Sequence, residues 1–173
     1  MYPIEHFMIA AIPVVAYVFV RDRRLPPLRL FGLVFVSSQF PDLIDKPLAH
    51  QVHLIPSGRV FVHSLPIAIP ICCLVGWYAW RTERPRAGGA FVFAYFSHLI
   101  ADNWRALSPP NPTPSNDLLW PFRPATPRPV VPHWAGAESI NVRLWTAFSI
   151  VVMAIVAYYL YRDVAAQRSA VTR

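Results

Sequence analysis

Apolar runs separated by short arginine-rich bursts constrain this chain more than any other feature of its sequence. A helix that crosses a bilayer needs roughly 20 mostly apolar residues. Tyr2 to Val20 reaches that length, with Pro13 as a kink that neighbouring helices can accommodate. Leu28 to Phe40 is shorter, and becomes a full span only with the Leu25-Pro26-Pro27 start and the Pro41 to Ile44 end. Phe61 to Trp80 and Ala87 to Trp104 come next. Val142 to Tyr161 closes the series, ending in a Tyr158-Tyr159-Leu160-Tyr161 belt before Arg162. The expected fold is therefore all-α, a polytopic transmembrane bundle of about five helices.

Composition agrees with this reading. Only 14% of the residues are charged and 55% are hydrophobic, whereas a soluble domain carries about 25% charged residues to cover its surface. The excess of 16 Lys+Arg over 9 Asp+Glu does not indicate nucleic-acid binding, because the arginines form no stripe. They cluster between apolar runs, as in Arg21-Asp22-Arg23-Arg24 and Arg81-Thr82-Glu83-Arg84-Pro85-Arg86. Such clusters mark cytoplasmic loops. Cys72 and Cys73 adjoin on one helix, where side chains diverge, so they read as small apolar fillers.

Residues 1–162 read as a single transmembrane domain, followed by a basic cytoplasmic tail over 163–173. Within the domain, prolines recur from Pro109 to Pro132, which forbids regular structure and predicts an extended extracytoplasmic loop over 105–140. Met1 to His6 has no Lys or Arg, and the basic cluster follows the first apolar run. That order is the reverse of a signal peptide and predicts a retained first helix with its N-terminus outside. Arg21, Arg23, Arg24, Arg81, Arg84, Arg86, Arg162, Arg168 and Arg173 then fall inside the cell. The expected location is the inner membrane, crossed several times, with membrane lipid as the surrounding partner.

This threading, chosen from arginines alone, brings the ionisable residues to one level near the outer face. His6 starts the first helix, Asp42 and Asp45 end the second, His63 opens the third, and His98 and Asp102 lie in the outer half of the fourth. The spacing from His98 to Asp102 is i, i+4, which stacks both on one helix face. Ionisable groups inside a membrane are costly and usually functional. Histidines and carboxylates gathered at one depth suit a divalent metal, above all zinc, whose bonds to His N and Asp O are about 2.0–2.2 Å long. Structural roles are open to individual members: Asp42 could end a helix, Asp45 could pair with Lys46, and His63 could bond a neighbouring helix. His50, His53 and His133 fall in loops.

Four stretches carry a resemblance. Pro41-Asp42-Leu43-Ile44-Asp45, Arg59-Val60-Phe61-Val62-His63-Ser64, Tyr95-Phe96-Ser97-His98-Leu99-Ile100-Ala101-Asp102-Asn103 and Leu119-Trp120-Pro121-Phe122 follow in that order. With His6, they resemble the membrane-bound, metal-dependent hydrolase family labelled LexA-binding, inner membrane-associated hydrolase. The likeness runs to about Phe122. The family's usual third motif has a histidine before the arginine, where this chain has Gly58. The order of ligands is also similar to that of zinc-dependent phospholipase C. These resemblances imply His6, Asp42, His63, His98 and Asp102 as metal ligands, with Asp45 as a ligand or base. They imply hydrolysis of a phosphoester or lipid-type substrate at the outer face by metal-activated water. Arg59 would partner a substrate phosphate.

Two other readings compete. Membrane lipid phosphatases of the acid-phosphatase-like type carry Pro-Ser-Gly-His, a downstream Ser-Arg, and His-x-x-x-Asp. Here Arg59 replaces the motif histidine after Pro56-Ser57-Gly58, and Phe91 and Val92 stand at the Ser-Arg positions. Alternatively, the cluster holds a structural metal in a protein without catalytic activity.

Overall fold

Residues that cannot continue a helix set the bounds of each element. In the computed structural model, residues 3–107 and 116–126 are described, with scattered positions between 150 and 162. Helix α1 spans Pro3–Asp22 and stops where Arg23 takes φ 53°, a left-handed residue of the kind that closes helix C-termini. Helix α2, Leu28–His50, follows Pro27, whose carbonyl accepts the amides of Leu30 and Phe31. Helix α3, Leu65–Arg81, has Pro66 in its first turn, and Glu83 beyond its end takes φ 57°. Helix α4, Pro85–Leu107, again begins on a proline, at a position where a missing N–H costs nothing. A short 3₁₀ helix, η1, covers Asn116–Leu119.

These bounds differ informatively from the sequence expectation. Helix α2 runs on to His50, through Pro41 and Pro47, so Asp42 and Asp45 sit within a helix and not at its end. Helix α3 begins four residues after Phe61, and His63 belongs to the turn before it. Among the described residues there are four α-helices and no strand. The expected fifth helix over 142–161, most of the 105–140 loop and the 163–173 tail lie outside the described residues, apart from scattered helical positions and η1.

Helix α4 is the hub: it packs against α1, α2 and α3. Phe7, Ala10, Ala11, Val34, Ala90 and Ala94 fill the space between α1, α2 and α4. Ala68, Cys72, Tyr95 and Leu99 do so between α3 and α4. Alanines at these contacts let the backbones approach closely. A close approach occurs at Gly88, where an added Cβ would stand 2.5 Å from Ala79 Cβ. At the arginine-rich end, Arg86 bonds Asp22 at 3.0 Å, tying the start of α4 to the end of α1. The end of α1 and the start of α4 thus share one end of the bundle, and the polar residues gather at the other.

The distribution of side chains is inside out. Trp80, Val20, Leu74 and Tyr78 are more than 60% exposed, whereas His6, Ser64, His98 and Asp45 are fully buried. Among the described residues one helix, α1, is long and apolar enough to cross a membrane; α3 is also apolar but shorter, at 17 residues. Helices α2 and α4 have 23 residues each, about 34 Å of helix at 1.5 Å per residue, and they carry several of the buried polar side chains, among them Asp42, Asp45 and His98.

Candidate metal centre

At the end opposite the Arg86–Asp22 pair, α2, α4 and the turn before α3 deliver four side chains to one point. One ligand atom each from Asp42, His63, His98 and Asp102 lies within 4.8 Å of all the others. His63 Nε2 is 3.1 Å from His98 Nε2, 3.6 Å from Asp42 Oδ1 and 3.7 Å from Asp102 Oδ2. His98 Nε2 is 3.9 Å from Asp42 Oδ1 and 3.7 Å from Asp102 Oδ2. A tetrahedral ion with bonds of about 2.0–2.1 Å sets its ligand atoms about 3.3 Å apart. The observed edges bracket that length.

Hydrogen bonds around the two imidazoles fix which nitrogen carries the proton. His98 Nδ1 lies 2.6 Å from the Ser38 carbonyl oxygen, which can only accept, so Nδ1 donates and Nε2 keeps its lone pair. His63 Nδ1 donates to Asp45 Oδ2 at 2.8 Å, which likewise leaves Nε2 bare. With both rings neutral and so oriented, the two Nε2 atoms turn their lone pairs to each other across 3.1 Å, an arrangement that a cation between them would satisfy. Asp42 Oδ1, buried and without a hydrogen-bond partner among the described residues, faces the same point. The donor set therefore fits a divalent metal.

The remaining site residues surround this group of four. Asp45 is fully buried, with Oδ1 accepting the Val62 amide and Oδ2 the His63 amide as well as the His63 ring. It pairs with His63 and not with Lys46. Lys46 instead reaches one turn back to Asp42 Oδ2 at 2.7 Å. Arg59 Nε holds Asp102 Oδ2 at 3.1 Å. His6 stands outside the group of four: it stacks on His98 with ring centroids 4.0 Å apart, and its Nε2 lies 3.2 Å from Asp102 Oδ1. Gly58 sits beside His50 and Lys46, 3.1 Å and 3.4 Å from where its Cβ would be. His50 closes α2, His53 is exposed, and His133 lies outside the described residues.

Helix and turn sequences explain this convergence. His98 and Asp102 are stacked by the i, i+4 spacing of α4. Asp42 and Asp45 are three apart on α2, one facing the point of convergence and one facing the 61–63 turn. That turn is held by Tyr95, whose buried hydroxyl donates to Val62 O at 2.5 Å. A small cleft opens beside the centre, lined by Arg59, His63, Asp102, Asn103, Asp117 and Leu118.

A sequence model of the YdjM inner membrane protein family matches residues 1–169. The chain belongs to this family. No curated protein and no solved structure matches it. Membership of the YdjM family makes this an inner-membrane protein, and the buried group of Asp42, His63, His98 and Asp102 could hold a metal ion within it.

Sequence reasoning missed three participants in this YdjM-family chain. Ser38 acts through its backbone carbonyl, which no side-chain pattern reveals. Tyr95 precedes His98 by three positions, so its hydroxyl in an apolar run was a readable signal. Asp117 is the lone acid between Leu107 and Pro132, and its 3% exposure in the cleft wall was foreshadowed by the apolar Leu118-Leu119-Trp120 run beside it.

Proposed function

We propose that this protein is a multi-pass inner-membrane hydrolase that uses a divalent metal, zinc, to cleave a phosphoester of a lipid or lipid-like substrate at the outer face. The observation that carries the reading is the convergence of His63 Nε2 and His98 Nε2, 3.1 Å apart, with Asp42 and Asp102. Asp42, His63, His98 and Asp102 would hold the ion. The metal would supply Lewis acidity toward a substrate oxygen and acidify a water. His6 steadies Asp102 from the side away from Arg59. Asp45 acts through His63, holding its ring and tautomer, in the way carboxylates support metal-binding histidines. Arg59, a cleft-lining cation with a planar fork of donors, suits a phosphoryl oxygen. The inside-out distribution of apolar surface supports several membrane crossings, with membrane lipid around the bundle.

A structural metal site is the second reading, favoured by the completeness of the donor set, since four protein ligands fill a tetrahedron. The cleft beside His63 and Asp102 favours the hydrolase, because a staple needs no opening. Purified full-length protein should release product from at least one of a panel of phosphomono- and phosphodiester lipids. A chelator should abolish the release, zinc should restore it, and His98→Ala should lack it. Release that survives chelation, or none from any substrate in a metal-loaded sample, would refute the hydrolase.

A further inference from the structure

Asp42 turns one oxygen to the centre and gives the other to a lysine. Its Oδ1 lies 3.6 Å from His63 Nε2 and 3.9 Å from His98 Nε2, buried and without a hydrogen bond among the described residues. Its Oδ2 accepts from Lys46 Nζ at 2.7 Å, across one turn of α2. The lysine stem is bordered by the loop between α2 and α3. At Gly58 of that loop an added Cβ would stand 3.4 Å from Lys46 Cγ and 3.1 Å from His50 Nε2. A side chain at position 58 would contend for the space that the stem and the ring now fill. Asp102 is placed differently: His6 Nε2 is 3.2 Å from its Oδ1 and Arg59 Nε is 3.1 Å from its Oδ2. With both Asp102 oxygens facing a nitrogen, the second oxygen of Asp42 decides how many bonds an ion at the centre receives.

We infer that Lys46 is a positioning residue: by occupying Asp42 Oδ2 it holds Asp42 to a single metal bond through Oδ1, and Gly58 leaves room for it to do so. The inference rests on the metal reading of this centre. A carboxylate with both oxygens free can chelate an ion; one whose second oxygen accepts a charge-assisted bond from an ammonium binds through the other alone. The protein then contributes four bonds, one each from Asp42, His63, His98 and Asp102. Such an ion can expand to a fifth bond, the place a water or a substrate oxygen takes in a reaction. The ammonium also stands only a carboxylate away from the ion, and like charges at that range repel. Lys46 thus weakens metal binding, and in doing so keeps a position open.

Lys46→Met keeps an unbranched stem and removes the charge. Zinc affinity of full-length protein in detergent is read by competition with a chromogenic chelator. Coordination is read from the visible bands of the cobalt(II)-loaded protein, which weaken as coordination rises from four to five. The wild type should show strong, four-coordinate bands. In Lys46→Met, Asp42 Oδ2 should turn to the ion, so the bands weaken and zinc binds about tenfold tighter. Lys46→Arg, which keeps a cation for Oδ2, should retain the wild-type bands and affinity. A lysine that merely braced α2 would give the opposite sign, a lower affinity with unchanged bands, and that result overturns the inference. Bands and affinity in Lys46→Met equal to those of the wild type overturn it as well. So does five-coordinate cobalt in the wild type, a measurement that needs no variant to fold. Wild-type protein that binds neither cobalt nor zinc overturns the metal reading itself, and this inference with it.

Discussion

The chemistry of the centre turns on which nitrogen of each imidazole carries its proton. Ser38 O and Asp45 Oδ2 each accept from an Nδ1, so the Nε2 atoms of His98 and His63 are presented as lone pairs. In Asp45→Asn the side-chain nitrogen can only donate, and turning the amide to accept from Nδ1 gives up a backbone donor elsewhere. A flipped His63 tautomer would place a hydrogen where a ligand atom is needed. Asp45→Asn should therefore weaken zinc binding on the order of 10–100-fold, read by competition with a chromogenic chelator, while the protein still enters the membrane. Unchanged affinity would remove Asp45 from the supporting role. The residue types were readable in the sequence because an aspartate or histidine in an apolar run is conspicuous. Their division of labour was not: Asp42 and Asp45 are the same residue three positions apart, and only the 61–63 turn, seated by Tyr95, decides which one faces the centre.

At the scale of elements, the apolar runs predict α1 and α4 well, because proline and a basic cluster frame each run. Helix α2 was harder to read. Pro41 and Pro47 look like a stop, yet packing against α1 and α4 carries the helix through both to His50. Register against α4 is set by small residues, and here a sharp contrast is available. Gly88→Ala would put a methyl group 2.5 Å from Ala79 Cβ, which has no rotamer with which to yield. Prying α3 from α4 in this way should cost about 1–3 kcal/mol, seen as a lower thermal midpoint in detergent. Gly89→Ala, whose Cβ meets nothing within 4 Å, should hold the midpoint or raise it slightly. Equal behaviour of the two variants would contradict the close α3–α4 contact.

On the scale of the whole molecule, many large apolar side chains of the described residues face outward, the buried His and Asp group meets at one end, and Arg21 and Arg86 lie at the other. Arg21 bonds Tyr17 at 2.6 Å and Arg81 lies over Trp77 at 5.5 Å, a cation–aromatic belt of the kind found at membrane interfaces. The Pro-rich stretch was legible as irregular chain with one apolar run, Leu118-Leu119-Trp120, fit to cover a cavity; that it returns as η1 to wall this cleft depends on contacts with Phe61 that no periodicity encodes. If the arginine end is cytoplasmic, a cysteine replacing Asn116 in a Cys72→Ala, Cys73→Ala background should react with an impermeant maleimide in intact spheroplasts. Reaction only after lysis would invert the orientation and move the centre to the cytoplasmic face. Everything functional rests on an ion between His63 and His98, and elemental analysis of detergent-purified protein, never exposed to chelator, tests it most directly. A divalent metal equimolar with the chain, lost in both His98→Ala and Asp102→Ala while each variant stays in the membrane fraction, is the predicted result. Wild-type protein with no stoichiometric metal, even after dialysis against zinc, would contradict it.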